Sequence, residues 1–269
     1  WPVQDPALMM QINSGGDTQA HGPVESHHVN FALPDGLNGD IELVLRVNSS
    51  TSLQIPLELW SRDYLTGRQN TETLFWGLYF GVMLALIAYN FFLYLSMRDG
   101  AYLCYVFYLV SIVGLMLSLS GFGLLHVWNA PVWSRYVLPL ASGLTSFWAI
   151  MFALSFLHGN GIHPGLRLLL QLVAAASLAL VPYAFVQPGQ GALAAGSLAV
   201  VSVALIIAAG LNALVSGVVI ARYFVLAWTT FAVGTFLYLL SIFSLIPVSQ
   251  FSNYAMQAGS ALEAVLRER

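Results

Sequence analysis

Lysine is absent from this 269-residue chain, and all nine of its basic residues are arginines. Chemistry that runs through a lysine Schiff base, retinal binding included, is therefore excluded. Cysteine is nearly absent too. Cys104 stands alone, so neither an intrachain disulfide nor a cysteine-based metal cluster can form. Charge of either sign is scarce, at 8% of residues, where a soluble domain carries about 25%. What is present in excess is apolar surface: 58% hydrophobic residues and a mean hydropathy of +0.76. An ordinary soluble globule, a disordered chain and a nucleic-acid binder are excluded together. The composition is that of an integral membrane protein, with membrane lipids as its first partners and no nucleic acid.

The little charge there is falls unevenly. Residues 1–72 hold three arginines against nine acids, and residues 73–269 hold six against three. Two parts in two environments are expected, with the boundary near residue 70: residues 1–70 as a small β domain, 71–269 as a helical membrane domain. In the first part, His28–Leu33 and Ile41–Val47 alternate with period two, and Leu53–Trp60 is a third β-like run interrupted by Pro56. Gly15-Gly16, Asp35-Gly36 and Asn38-Gly39 are hairpin-type pairs. So few strands make a thin core, which predicts the end of a larger β domain. The sequence opens at Trp1 with no basic, apolar leader, so a removed signal peptide or a start inside a longer chain is expected.

From Thr73 the pattern is one of long apolar runs, each near the 20 residues that cross a bilayer. Six full spans are predicted: Thr73–Met97, Ala101–Ser120, Tyr136–Leu157, Leu168–Val186, Ala192–Leu214 and Phe224–Ile246. A short seventh starts near Asn253 and reaches Arg269. Connections after spans one, three and five carry Arg98, Arg167 and Arg222, and the tail adds Arg267 and Arg269. Those after spans two, four and six carry Arg135 alone. Arginine favours the cytoplasmic side, which predicts an external β segment and a cytoplasmic C-terminus. Trp76, Trp128 and Trp133 suit an outer aromatic belt.

Several residues in order carry a resemblance. They are Gly77-x-Tyr79-x-Gly81, Tyr89-Asn90, Leu95-Ser96-Met97-Arg98-Asp99, Tyr102, Tyr105 and Gly121-x-Gly123. Ala221-Arg222, Ala227-Trp228, Pro247, Tyr254 and Gln257–Glu263 continue the series. Over about residues 50–269 the chain resembles the bacterial seven-transmembrane receptors with diverse intracellular signalling modules (7TMR-DISM). The resemblance implies a mostly α fold, a seven-transmembrane helix bundle preceded by the end of a type-2 periplasmic domain. That domain is a β jelly roll similar to carbohydrate-binding modules. It also implies a multi-pass protein of the bacterial inner membrane with a cytoplasmic output domain, a diguanylate cyclase first and a histidine kinase second. Both outputs act as dimers, so a homodimer is expected. Span seven should continue past Arg269 into a helical linker. Val218–Ala221 joins spans five and six with almost no loop, where the family has a short basic one, so residues there or at the termini are expected to lie outside this sequence.

No catalytic, cofactor-binding or metal-ligating constellation is expected within these residues. His158 and His163 sit in a Gly/Pro-interrupted loop without acidic neighbours, and no Asp falls inside a span, which leaves metal-dependent and aspartyl hydrolysis without ligands. Asp35, Asn38, Asp40 and Glu42 offer calcium-type oxygens, but the two turn pairs explain them as a hairpin. Carbohydrate is the first candidate for the external ligand and calcium the second, although residues 1–72 offer only Trp1, Phe31, Trp60 and Tyr64 for stacking.

The residues singled out for signalling or packing are Gly77, Gly81, Asn90, Arg98, Asp99, Gly259 and Glu263. Gly77 and Gly81 allow close helix approach, within the bundle first and between two chains second. Asn90 needs a partner in lipid, expected from a neighbouring helix. Gly259 permits close contact of span seven, and Glu263 is either an intramembrane carboxylate or a solvated charge near Arg267. A transporter is the rival function, and it would need interrupted polar helices at mid-membrane.

Overall fold

A computed structural model describes residues 9–14, 17–21, 42–46, 61–120, 122–123, 127, 131–157, 162–218 and 221–242. Three strands come first: β1 (Met9–Ser14), β2 (Asp17–His21) and β3 (Glu42–Arg46). They form an antiparallel sheet in the order β2-β1-β3. Ser14 pairs with Asp17, so the Gly15-Gly16 pair is all that separates β1 from β2. β3 coincides with the alternating run predicted at Ile41–Val47. Met9–Ser14 and Asp17–His21 have no clean alternation, and the glycine pair was their only signal. The runs His28–Leu33 and Leu53–Trp60, the calcium-type residues 35–40, span seven, Gly259 and Glu263 lie outside the described residues.

Six helices follow among the described residues: α1 (Arg62–Met97), α2 (Gly100–Ser120), α3 (Pro131–Phe156), α4 (Pro164–Val186), α5 (Pro188–Val215) and α6 (Ala221–Ile242). Five of them contain stretches long and apolar enough to cross a membrane: Tyr64–Met97, Gly100–Ser120, Tyr136–Phe156, Pro164–Val186 and Leu193–Val215. α6 adds 22 more helical residues. The chain is a multi-pass membrane protein.

Helix starts differ from the apolar runs for a simple reason. α3, α4 and α5 open on Pro131, Pro164 and Pro188. Proline suits the first turn because its missing N–H would find no partner there, so these helices begin several residues before their hydropathy does. α1 begins eleven residues ahead of Thr73. Ser61 caps it, its side chain accepting from the Tyr64 N–H at 3.4 Å. At 1.5 Å per residue, 36 residues give about 54 Å, well beyond the roughly 30 Å of a hydrocarbon core. The first three turns of α1 therefore stand outside the apolar layer, and Arg68 and Glu72 pair there at 3.1 Å.

Neighbouring helices run antiparallel. Cys104 meets Ser155, and Phe107 stacks on Trp148 across α2 and α3. α4 and α5 are joined through Gln187 alone, with Tyr183 donating its hydroxyl hydrogen to Gln190 Oε1 at 2.8 Å. α1 packs on α2, α3 lies against α2, α4 and α5, and α6 against α5. The core runs from Met83, Tyr108, Leu109 and Ile112 through Ile150 and Leu170 to Ile206, Phe224 and Trp228. Large apolar residues such as Leu78, Phe92, Leu172, Leu193 and Phe236 are exposed, as a lipid-facing surface requires.

Candidate functional site: an aromatic layer at one end of the bundle

One end of the bundle gathers the α1–α2 turn, the α3–α4 connection and the α5–α6 junction. At the first of these, Arg98 ends α1 in left-handed backbone (φ 56, ψ 25), its N–H donating to the Tyr94 carbonyl at 2.8 Å. It is the only non-glycine with positive φ among the described residues. A Cβ there costs roughly 1–2 kcal/mol, which is why glycine usually takes such caps. The guanidinium offsets part of it, since a cation at a helix C-terminus gains about 0.3–1 kcal/mol. Asp99 Oδ1 then accepts from the Ala101 N–H at 2.9 Å and caps α2. Together the two residues reverse the chain.

The α3–α4 connection is held in a comparable way. His163 Nδ1 accepts from the Gly165 N–H at 3.2 Å, and the His163 N–H donates to Asn212 Oδ1 of α5 at 2.9 Å. At the α5–α6 junction Gly217 takes φ +88. Arg222 donates to the Tyr223 hydroxyl at 2.8 Å, with its guanidinium carbon 4.6 Å from that ring's centre.

Just inside this end lies a continuous layer of rings. Tyr105 and Tyr108 come from the first half of α2, Phe152 and Phe156 from the last turns of α3, and Phe224, Trp228 and Phe231 from the first half of α6. Tyr105 and Phe152 are 5.1 Å apart between ring centres, and Tyr108 and Trp228 5.8 Å. Phe224 lies nearly parallel to Phe156 (5.5 Å, 18°) and to Phe152 (6.4 Å, 19°). Tyr108, Phe224 and Trp228 are each 1% exposed. Lipid tails are as apolar as the side chains, so helices here associate through packing rather than escape from water. Aromatic pairs worth about 0.5–1.5 kcal/mol each then weigh heavily in setting where α6 sits.

Among the described residues, three glycines stand where an added Cβ would crowd a neighbouring helix. A Cβ on Gly143 of α3 would lie 3.0 Å from the Ser177 carbonyl oxygen of α4. One on Gly191 of α5 would lie 3.1 Å from Ala184 Cα of α4. One on Gly210 of α5 would meet Val225 Cγ2 at 2.8 Å and Phe224 Cδ1 at 2.9 Å. The first two neighbours are backbone atoms, and the third pair are side-chain tips.

Of the residues singled out from the sequence, the five described ones lie on α1 and the turn that follows it, away from the aromatic layer's α3 and α6. Gly77 and Gly81 are exposed on α1, and a Cβ on either meets nothing within 4 Å among the described residues. The close approaches fall to Gly143, Gly191 and Gly210 instead. Asn90 is buried at 4% exposure, and its Nδ2 donates to the Leu86 carbonyl of its own helix at 2.9 Å. Arg98 and Asp99 form the α1–α2 turn. No described group of three His, Cys, Asp or Glu side chains could hold a metal. Asn212, Phe224 and Gly210 were missed by sequence reading. So was Glu72, only 8% exposed beside Arg68, although Glu four residues after Arg was a visible signal.

The family model described as 7TM diverse intracellular signalling matches residues 72–267. No curated protein and no solved structure matches the chain.

Proposed function

Because the chain belongs to the 7TM diverse intracellular signalling family, a family of membrane sensory receptors, we propose that it relays a periplasmic signal to a cytoplasmic output domain, with a diguanylate cyclase as that output. The observation that carries the receptor reading is the family match over the helical bundle, residues 72–267. The arginines support the direction. Arg98, Arg167 and Arg222 share the end that holds the aromatic layer, and arginine favours the cytoplasmic side. At the other end Arg68 is paired with Glu72. The preceding β segment, with its three-stranded sheet, is then periplasmic and is the natural receiver of a carbohydrate or other external ligand.

In this reading the signal passes as a change of helix packing. A bundle with two packings a few kcal/mol apart needs only a small differential contact to switch. The output acts as a homodimer in this reading, reached through the span seven expected from the sequence around Gly259 and Glu263. Expression of the full-length protein in cells tests the output directly. Cellular cyclic-di-GMP should rise above that of cells with an output-site knockout. Phosphoryl transfer to a partner receiver, with cyclic-di-GMP unchanged, would make the histidine kinase the correct output.

A further inference from the structure

The three close glycines are not equivalent, and the difference divides the bundle mechanically. At Gly143 and Gly191 the facing atoms are the Ser177 carbonyl oxygen and Ala184 Cα, which cannot rotate away. α3, α4 and α5 are thereby seated backbone to backbone, and Asn212 adds a hydrogen bond from α5 to the start of α4. Packed interiors seated in this way transmit strain without deforming. α6 is seated differently. At Gly210 it presents side-chain atoms, Val225 Cγ2 and the Phe224 ring edge, while Phe224 stacks near-parallel on Phe152 and Phe156 of α3 and Trp228 meets Tyr108 of α2. Rings 18° and 19° from parallel meet in offset stacks, and the Gly210 hollow receives the Phe224 edge, whose Cδ1 and Cε1 lie 2.9 and 3.3 Å from where a Cβ would stand. At the α5–α6 junction Gly217 closes α5 in left-handed backbone, its N–H donating to the Leu214 carbonyl and the Val218 N–H to the Ala213 carbonyl, each at 3.1 Å, and α6 starts at Ala221.

We propose that α3–α4–α5 form a static frame and that α6 is the moving element, with the edge of Phe224 in the Gly210 hollow as the joint that sets its resting position. The division of the bundle stands on packing alone. Its use in signalling rests on the receptor reading above.

The test is a distance measurement that needs neither ligand nor output. Pairs of spin labels are placed on the full-length protein in membranes, in a Cys104→Ala background. Labels at Arg167 and Arg222 report α4 against α6, and labels at Arg167 and Val215 report α4 against α5. All three positions are exposed. Gly210→Ala, which puts a methyl into the hollow, should shift the α4–α6 distance by about 1–2 Å, the scale of helix shifts in switching proteins. Adding Phe224→Leu should return it toward the starting value. The α4–α5 distance should not move in either variant. Phe224→Leu alone empties the hollow and should broaden the α4–α6 distribution only, which serves if Gly210→Ala fails to fold. An unchanged α4–α6 distribution in Phe224→Leu, or movement of both pairs together, overturns the proposal. Cyclic-di-GMP measured on the same variants then separates the two ideas. A shifted α6 with unaltered output leaves the joint standing and removes its role in the receptor reading.

Discussion

The backbone N–H of His163 donates to Asn212 Oδ1 at 2.9 Å, tying residues 49 positions apart. Asn212 lies on the last turn of α5 and His163 is the cap of α4, so one side chain fixes two helix ends. Losing the acceptor leaves a donor at a membrane boundary, where water can partly replace it, so Asn212→Ala should cost about 1 kcal/mol. Asn212→Asp keeps the acceptor and should cost less. Thermal unfolding of the detergent-solubilised protein measures both, and equal losses would mean that the hydrogen bond contributes nothing.

Arg98 holds a conformation that suits glycine. Arg98→Gly should be more stable than Arg98→Ala by about 1 kcal/mol, because both remove the charge and only one removes the Cβ. The comparison cancels the helix-dipole contribution. An alanine variant as stable as the glycine one would place the left-handed cap in error.

Much of this architecture is legible along the chain, and the unread part has a common physical cause. Apolar runs located the helices because a bilayer demands uninterrupted apolar length. They misplaced the starts because Pro131, Pro164, Pro188 and the Ser61 cap open helices by backbone chemistry rather than hydropathy. Contacts were harder. In a soluble helix an apolar stripe marks the buried face, but α2 and α5 are apolar nearly all round, so no stripe picks out Tyr108 or Gly210. The spacing of Gly77 and Gly81 resembles a packing motif, yet they face no described helix, while the isolated Gly210 receives a ring. Arg98-Asp99 was recognisable as a pair through family resemblance, and its caps explain the pair structurally.

Trp228 is 1% exposed and touches Tyr108, Phe224 and Phe231. Trp148 is only partly buried at the edge of the core, against Phe107 and Phe147. Truncation to alanine should therefore cost more at Trp228, about 3–5 kcal/mol for a fully buried aromatic. Trp148→Ala can relax toward lipid and should cost less than half as much. Thermal unfolding ranks the two, and a reversed ranking would remove the aromatic layer from the centre of the bundle.

Topology supplies the last test. Gln187 is exposed at the α4–α5 turn, and Asp99 is exposed at the α1–α2 turn, at opposite ends of the antiparallel bundle. The proposed topology expects Asp99 in the cytoplasm and Gln187 outside it. The native Cys104 is half-buried, so it must be removed for clean labelling. In a Cys104→Ala background, Gln187→Cys should react with an impermeant thiol reagent added to intact spheroplasts, and Asp99→Cys only after lysis. Asp99 also caps α2, so its loss loosens the turn, and Ser216→Cys at the end of α5 gives a second position at the same end of the bundle. Labelling of Asp99→Cys and Ser216→Cys from outside, with Gln187→Cys protected, would invert the bundle. The aromatic layer would then face the periplasm, and Phe224 would sit at the receiving end of the signal instead of the delivering one.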